Sequence, residues 1–166
     1  MLLDLREIIN IPGEKVSFDY SPDLSDAVDG SILAIKGTPT AVGQVKNIAG
    51  VLTFTADVEA ELVCICARCL KELDKHITQH ISAVIAELED DADDSEIYPL
   101  DGDEIETDDI IVSEFILNMD QRLLCREDCK GLCIKCGADL NEGPCTCNKE
   151  IDPRLAVLGQ LLGDQI

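Results

Sequence analysis

The feature that most constrains the fold is a strict alternation of apolar and polar side chains between Leu52 and Cys66. Apolar residues occupy every second position, and threonines and carboxylates fill the intervening positions from Thr53 to Glu61. Because side chains of a strand point alternately to its two faces, this period of two predicts a long, half-buried strand. Residues 76–87 repeat the pattern, and we expect them to pair with the first strand in antiparallel orientation.

Two further strand candidates precede this pair. Residues 31–36 and 40–48 read as short strands, and Gly50 marks a turn into the long strand. Strands in this order form a meander, which predicts an antiparallel, strongly bent sheet or a small barrel. Together with two helices, this gives a predicted fold class of α+β.

The two predicted helices are short and follow the strands. Residues 109–122 carry apolar side chains at helical spacing, and near the C-terminus Pro153 occupies a first-turn position while Gly163 ends an amphipathic stretch. We expect residues 1–124 to form a β-rich domain with an acidic loop and the first helix. Residues 125–166 are expected to form a cysteine-rich, zinc-knuckle-like segment whose helix packs on the same domain.

Acidic residues dominate the charge of the chain. Asp and Glu number 34 against 13 Lys and Arg, which gives a net charge of -21. Such a charge repels a phosphate backbone, so non-specific nucleic-acid binding is not expected, and direct contact with RNA stays open. Residues 87–109 hold 13 carboxylates and no Lys or Arg, and we predict a solvated loop at residues 89–104. Neither a membrane span nor a signal peptide is predicted, which favours a cytoplasmic location.

The nine cysteines favour metal binding over disulfide bonds, because an odd number cannot pair fully and the predicted compartment is reducing. Cys133 and Cys136 are separated by two residues and followed by a glycine, a spacing typical of a zinc knuckle. Cys145 and Cys147 follow a turn and can supply two more sulfurs. Four thiolates without histidine favour a closed, structural Zn²⁺ site.

A second Cys-x-x-Cys pair ends the long predicted strand. This pair, Cys66 and Cys69, can meet Cys125 and Cys129 if the chain folds back along the sheet. Alternatively, the pair can face Cys133 and Cys136 as opposed knuckles, which would leave Cys145 and Cys147 in another role. Spacing alone leaves both arrangements open. Cys64 follows the apolar face of the strand and is interpreted as a buried hydrophobic residue.

The cysteine motifs resemble those of the YceD family, the large ribosomal RNA subunit accumulation proteins of bacteria and plastids. The resemblance rests on a set of motifs in this order: Cys66-Ala-Arg-Cys69-Leu70, an acidic stretch, the run from Cys129 to Asn141, Cys145-Thr-Cys147 and Asp152-Pro-Arg-Leu-Ala156. Ile134 stands where the family usually has a proline, which presets a turn but is not a ligand. The family includes members that lack several of these cysteines, which favours a stabilising role for any metal.

The resemblance implies a non-enzymatic ribosome biogenesis factor needed for normal accumulation of large-subunit (23S) ribosomal RNA. A chain of this charge is expected to bind a basic large-subunit ribosomal protein or a ribosomal assembly intermediate. The alternative, from another class, is a thiol redox or metal-carrier protein that uses its Cys-x-x-Cys pairs.

Overall fold

The computed structural model of the chain describes residues 1–86, 97–100, 102–120 and 122–147. These residues form seven strands, one short 3₁₀ turn and one α-helix. The bounds of the strands and the α-helix are β1 (Leu2–Asp4), β2 (Lys15–Tyr20), β3 (Ile32–Ile48), β4 (Val51–Ile65), β5 (Glu72–Ala86), β6 (Ile97–Pro99), β7 (Glu104–Glu106) and α1 (Thr107–Leu117).

Strands β2 to β6 form one sheet in chain order, and β1 pairs with β7 in a separate two-stranded sheet. Neighbours in the large sheet are antiparallel except β5 and β6, which are parallel, so the sheet is mixed. Among the described residues the sheet stays open, and the predicted barrel is not formed. The last strand has only three residues, which offer too few backbone groups to pair with β2 and close the sheet.

The alternation that predicted β4 also defines its two faces. Every second side chain from Leu52 to Cys64 is buried, whereas Asp57, Glu59 and Glu61 between them are exposed. Strand β5 runs beside β4 over its whole length, with Leu52 opposite Ile85 and Ile65 opposite Glu72. The buried face packs against α1, so the core lies between the sheet and the helix.

Strand β3 is a single strand where the sequence predicted two. Its pairing with β4 shifts register between Ile32 and Ala34 and again between Lys36 and Thr40. At the second shift Gly37 has a φ of 66°, a conformation that glycine adopts without strain. The predicted gap at residues 37–39 is therefore an irregularity in β3, because β4 continues beside it as an uninterrupted template.

Close packing at Gly43 shapes the middle of the sheet. A Cβ atom at this position would lie 2.4 Å from the Phe18 ring and 2.4 Å from the carbonyl oxygen of Thr55. The Phe18 ring stacks on Phe54 with a centroid separation of 5.2 Å. Phe18 thus covers the space that any larger side chain at position 43 would need.

Helix α1 confirms the first predicted helix but ends earlier, at Leu117. The Asn118 side chain donates to the Glu114 carbonyl at 2.9 Å and ends the helix there. The shorter helix lets the following chain return to the end of β4, where Ala67 N–H donates to Leu123 O at 2.8 Å. Within the described part of the chain, no helix could span a lipid bilayer, and α1 itself has only 11 residues.

Two sequence predictions fall on parts of the chain outside the description. The second predicted helix, at residues 152–163, lies wholly outside the described residues, as does the core of the acidic loop at residues 87–96. The prediction of a loop was wrong for Ile97–Pro99, which form β6 beside β5. These three residues carry no charge. They can therefore pair with β5 without placing carboxylates beside one another.

Candidate metal centres

Both Cys-x-x-Cys motifs fold into the same hydrogen-bonded turn. The N–H of the first cysteine donates to the carbonyl five positions later, and the N–H four positions later donates back to the first cysteine. These two bonds measure 2.9 and 2.9 Å in the turn that starts at Cys66, and 2.8 and 2.8 Å in the turn that starts at Cys133. In each turn, the backbone after the second cysteine is left-handed, with φ of 59° at Leu70 and 73° at Gly137. The chain therefore contains two knuckles of one design.

The first knuckle contributes to cluster 1, which consists of Cys66, Cys69, Cys125 and Cys129. Its four sulfur atoms all lie within 4.8 Å of one another. The Sγ atoms of Cys66 and Cys129 are 3.8 Å apart, and those of Cys69 and Cys125 are 3.6 Å apart. A tetrahedral zinc site with Zn–S bonds of about 2.3 Å has sulfur–sulfur edges of about 3.8 Å. Cluster 1 can therefore hold a metal ion with little rearrangement.

Arg68, at the tip of the first knuckle, joins it to the segment that carries Cys125 and Cys129. Its guanidinium donates to the carbonyl oxygens of Glu127 and Cys129 at 3.1 and 2.7 Å. Its own carbonyl oxygen accepts the N–H of Leu132 at 3.1 Å. At Gly131, where φ is 73°, a Cβ would lie 2.8 Å from that carbonyl oxygen, so this close approach requires glycine.

Burial and hydrogen bonds to sulfur divide cluster 1 into two thiols with a lowered pKa, Cys66 and Cys129, and two with a raised pKa, Cys69 and Cys125. Burial opposes ionisation of Cys66, but backbone N–H groups of the turn and of Cys125 outweigh it and lower its pKa to about 6. Burial also opposes ionisation of Cys129, and hydrogen bonds from the Asn141 amide, the Gly131 N–H and the neighbouring thiols together outweigh it, so the pKa of Cys129 is lowered. Burial and the neighbouring thiols raise the pKa of Cys125 to about 12. Full ionisation of the four sulfurs therefore needs a cation among them.

Cluster 2 consists of Cys133, Cys136, Cys145 and Cys147, again with all four sulfurs within 4.8 Å of one another. It is more exposed than cluster 1, since Cys136 is exposed and its other members are half-buried. Backbone N–H groups of Cys136 and Lys135 lower the pKa of Cys133 to about 6. The hydrogen bond with Cys136, followed by burial, raises the pKa of Cys147 to about 12. In both clusters, backbone N–H groups of the knuckle thus lower the pKa of its first cysteine, Cys66 or Cys133.

Of the two arrangements that the spacing left open, the structure forms the one that joins Cys66 and Cys69 to Cys125 and Cys129. The opposed-knuckle arrangement is not formed. The ninth cysteine, Cys64, is fully buried, lies outside both clusters and donates to Leu73 O at 3.6 Å, as expected of a buried hydrophobic residue. That the eight clustered cysteines bind metal stays a prediction.

Sequence analysis did not identify the polar side chains that join the two clusters. The carboxylate of Asp139 forms an ion pair with Lys71 at 2.8 Å and accepts the N–H of Asn141 at 2.8 Å. The Lys71 ammonium and that N–H hold the pKa of Asp139 down to about 2. The Asp-x-Asn spacing could have predicted a turn at residues 139–141, because Asp and Asn side chains form local hydrogen bonds with the backbone in turns.

Introducing a glycine into the first knuckle and removing one from the second are expected to change stability in opposite directions. Leu70 is 60% exposed and left-handed, a conformation that costs a residue with a Cβ about 1–2 kcal/mol. We expect Leu70→Gly to raise the free energy of unfolding by about 0.5–1 kcal/mol, since the added chain entropy offsets part of the gain. Gly137→Leu is expected to lower it by a similar amount. Urea denaturation of the metal-loaded proteins measures both, and a decrease for Leu70→Gly would contradict the strain at this position.

A family model with the description "Large ribosomal RNA subunit accumulation protein YceD" matches residues 54–162. The chain belongs to the YceD family. The matched region of this YceD protein begins within β4 and contains both clusters, all of the acidic stretch and α1. Strands β1 to β3 lie before it.

The curated relatives of this YceD chain are uncharacterized proteins of Mycobacterium bovis and Mycobacterium tuberculosis. Each is 27% identical over 126 residues, which cover 74% of the YceD chain. The match spans 61% of the length of these relatives. No solved structure matches the chain. The descriptions of these relatives name no activity.

Proposed function

We propose that this YceD protein is a non-enzymatic ribosome biogenesis factor that supports accumulation of large-subunit (23S) ribosomal RNA. The observation that carries the proposal is the family match, which covers most of β4, α1 and both cysteine clusters. Family membership supports the role in ribosomal RNA accumulation. We add to this role a metal, a partner and a location.

The metal in each cluster is proposed to be zinc in a structural role. Four thiolates within 4.8 Å of one another suit Zn²⁺ and would leave no open coordination position for water or substrate. Cluster 1 also ties the end of β4 to the chain that follows α1, a connection expected of a metal that stabilises a fold. Elemental analysis of protein purified without chelators is expected to find two zinc ions per chain.

The partner is proposed to be a basic large-subunit ribosomal protein or an assembly intermediate that contains one, in the cytoplasm. The net charge of -21 attracts basic proteins and repels an RNA backbone. The outer face of the sheet contributes to this charge, since Asp57, Glu59 and Glu61 are exposed on consecutive outward positions of β4. Of their partners on β3, which are Val42, Thr40 and Lys36 in that order, only Lys36 carries a charge. On the β5 side, the His80 ring lies 2.8 Å from the Asp57 carboxylate.

The test combines capture of the partner with a measurement of ribosomal RNA. A tagged chain is expected to retain a basic large-subunit ribosomal protein from cell extract, and its deletion is expected to lower large-subunit RNA relative to small-subunit RNA. Neutralising the outer face (Asp57→Asn, Glu59→Gln, Glu61→Gln) is expected to weaken capture. A matched control neutralises three exposed carboxylates outside the large sheet (Glu7→Gln, Glu14→Gln, Asp26→Asn).

Salt dependence and a second variant sharpen this test. Electrostatic steering weakens as the Debye length falls from about 10 Å at 0.1 M salt to about 3 Å at 1 M, so the association rate should fall steeply. Replacing Asp90, Asp91, Asp93 and Asp94 by asparagine asks whether the acidic stretch takes part. Equal capture by all variants, or normal RNA levels after deletion, would contradict the proposed partner or function respectively.

A thiol redox or metal-carrier function is the second candidate, favoured by the exposure of Cys136 and the low pKa of Cys133 in cluster 2. A carrier is expected to release its ion to mild chelators, and a redox protein to exchange disulfides with thioredoxin. Retention of both ions and absence of exchange would exclude this candidate.

A further inference from the structure

The segments that carry the two clusters meet at one side chain, that of Asn141. Its carboxamide oxygen accepts hydrogen bonds from the backbone N–H of Lys130 and from the Arg126 guanidinium, both at 2.8 Å. Both partners can only donate, so the amide nitrogen must face the other way. There it donates to Cys129 Sγ at 3.4 Å and to Asp139 Oδ1 at 2.7 Å. A residue between the ligands of cluster 2 thus hydrogen-bonds a ligand of cluster 1.

Asp139 holds the Asn141 side chain in this orientation. One oxygen of its carboxylate accepts both the backbone N–H and the side-chain amide of Asn141, and the other forms the ion pair with Lys71. Lys71 belongs to the first knuckle, because its carbonyl accepts the N–H of Cys66. The cluster 2 loop, residues 133–147, is therefore docked on the first knuckle through Asp139 and Asn141.

The fold of the cluster 2 loop depends on its cysteines. None of its side chains is buried, so apolar burial cannot hold its two halves together. An ion shared by Cys133, Cys136, Cys145 and Cys147 would supply the missing constraint, since metal-binding free energy becomes folding free energy in such small loops. We expect loss of this ion to loosen the loop, which backbone bonds such as that from Leu140 N–H to Gly131 O then hold alone, and so to weaken the contacts of Asp139 and Asn141 with the first knuckle.

We infer that the two clusters are coupled through Asn141, so that metal in cluster 2 strengthens metal binding by cluster 1. This inference rests on the proposed metal binding of both clusters. An amide N–H donated to a thiolate stabilises its charged form, and partners that hydrogen-bond a metal ligand change metal affinity by about 10–100-fold. Because such coupling is reciprocal, metal in cluster 1 strengthens binding by cluster 2 by the same factor. Asn141 is a positioning residue and not a ligand.

The experiment measures zinc occupancy of each cluster separately in the full-length protein. Samples equilibrated at buffered free zinc concentrations are alkylated, and peptide mapping reports protection of Cys125 and Cys129 for cluster 1 and of Cys145 and Cys147 for cluster 2. Cys133→Ser with Cys136→Ser removes cluster 2 and is expected to weaken zinc binding by cluster 1 about 10-fold or more.

Asn141→Ala is expected to weaken cluster 1 about 10-fold when cluster 2 is intact and to have no further effect when cluster 2 has been removed. Asn141→Asp, which places a carboxylate against Cys129, should weaken cluster 1 more strongly. Glu142→Gln is the matched control, because Glu142 is 76% exposed and contacts Lys71 but no cysteine. Circular dichroism checks that the sheet remains folded in each variant.

The results distinguish a failure of the coupling between the clusters from a failure of metal binding itself. If the wild-type chain binds two zinc ions but cluster 1 is unaffected by loss of cluster 2, or Asn141→Ala acts equally with and without cluster 2, the coupling is overturned and the metal sites stand. If the wild-type chain binds no zinc in either cluster, both the metal proposal and the coupling are overturned.

Discussion

Replacing Cys66 and Cys69 together by serine should remove one of two bound metal ions and lower the free energy of unfolding by about 4 kcal/mol, the contribution of a ligand present at about 1,000 times its Kd. Serine does not supply the thiolates that zinc requires, and Cys66 is fully buried at the end of β4. The loss of the ion frees Cys125 and Cys129, so the chain after α1 loses its attachment to the first knuckle. Thermal and urea unfolding, with metal analysis, measure the effect.

Two matched variants define the specificity of this result. Cys64→Ala removes a buried cysteine two positions away that lies outside the clusters, and it should leave two ions bound. Cys133→Ser with Cys136→Ser should also remove one ion but unfold only residues 133–147, because that loop has no buried side chain. Retention of two ions by the Cys66 and Cys69 variant would exclude a metal site at cluster 1.

Gly43→Ala is expected to lower the free energy of unfolding by about 3 kcal/mol, the upper part of the range for overpacking a core. The added methyl group would meet the Phe18 ring and the Thr55 carbonyl oxygen, each at 2.4 Å. The ring can move only by giving up its stacking on Phe54, and the carbonyl oxygen is held in the backbone of β4. Urea denaturation monitored by circular dichroism checks this expectation.

Val42→Ala is the control for position 43, because the neighbouring side chain points to the opposite face and is 54% exposed. We expect this change to alter stability by less than about 0.5 kcal/mol. Similar effects of the two substitutions would mean that the inner face of β3 tolerates a side chain at position 43. Rescue of Gly43→Ala by Phe18→Leu should be partial, because the carbonyl oxygen of Thr55 remains.

The long strands and the helix could be predicted because their periodicity is produced by one buried face. The alternation of apolar and polar residues was enough to predict β4 and β5, because it decides which face of each strand is buried. Strands β1, β2 and β7 were not predicted. β1 and β7 have three residues each, too few to show a period, and their pairing joins Leu2 to Glu106 across most of the chain. The second helix stays a prediction.

The sequence limited which cysteines can share a cluster but did not decide between the possible groupings. Cysteine spacing identifies knuckles, because two sulfurs three positions apart can bind one ion. Which knuckle meets which other cysteines depends on the path of the chain after α1. Asn118 ends the helix, and the bond from Ala67 to Leu123 brings that chain to the first knuckle. Such contacts produce neither a periodicity nor a fixed residue spacing in the sequence.

The composition of cluster 1 also fixes an order of assembly. Two of its sulfur contacts join residues 56 and 63 positions apart, whereas the ligands of cluster 2 span only Cys133 to Cys147. Closing a loop of about 60 residues costs on the order of 3–4 kcal/mol in chain entropy, and a short loop costs less. An ion can therefore enter cluster 2 early, from local contacts alone. Cluster 1 can close only after β5 and α1 have brought Cys125 back to β4, so its ion is expected to bind in the last step of folding.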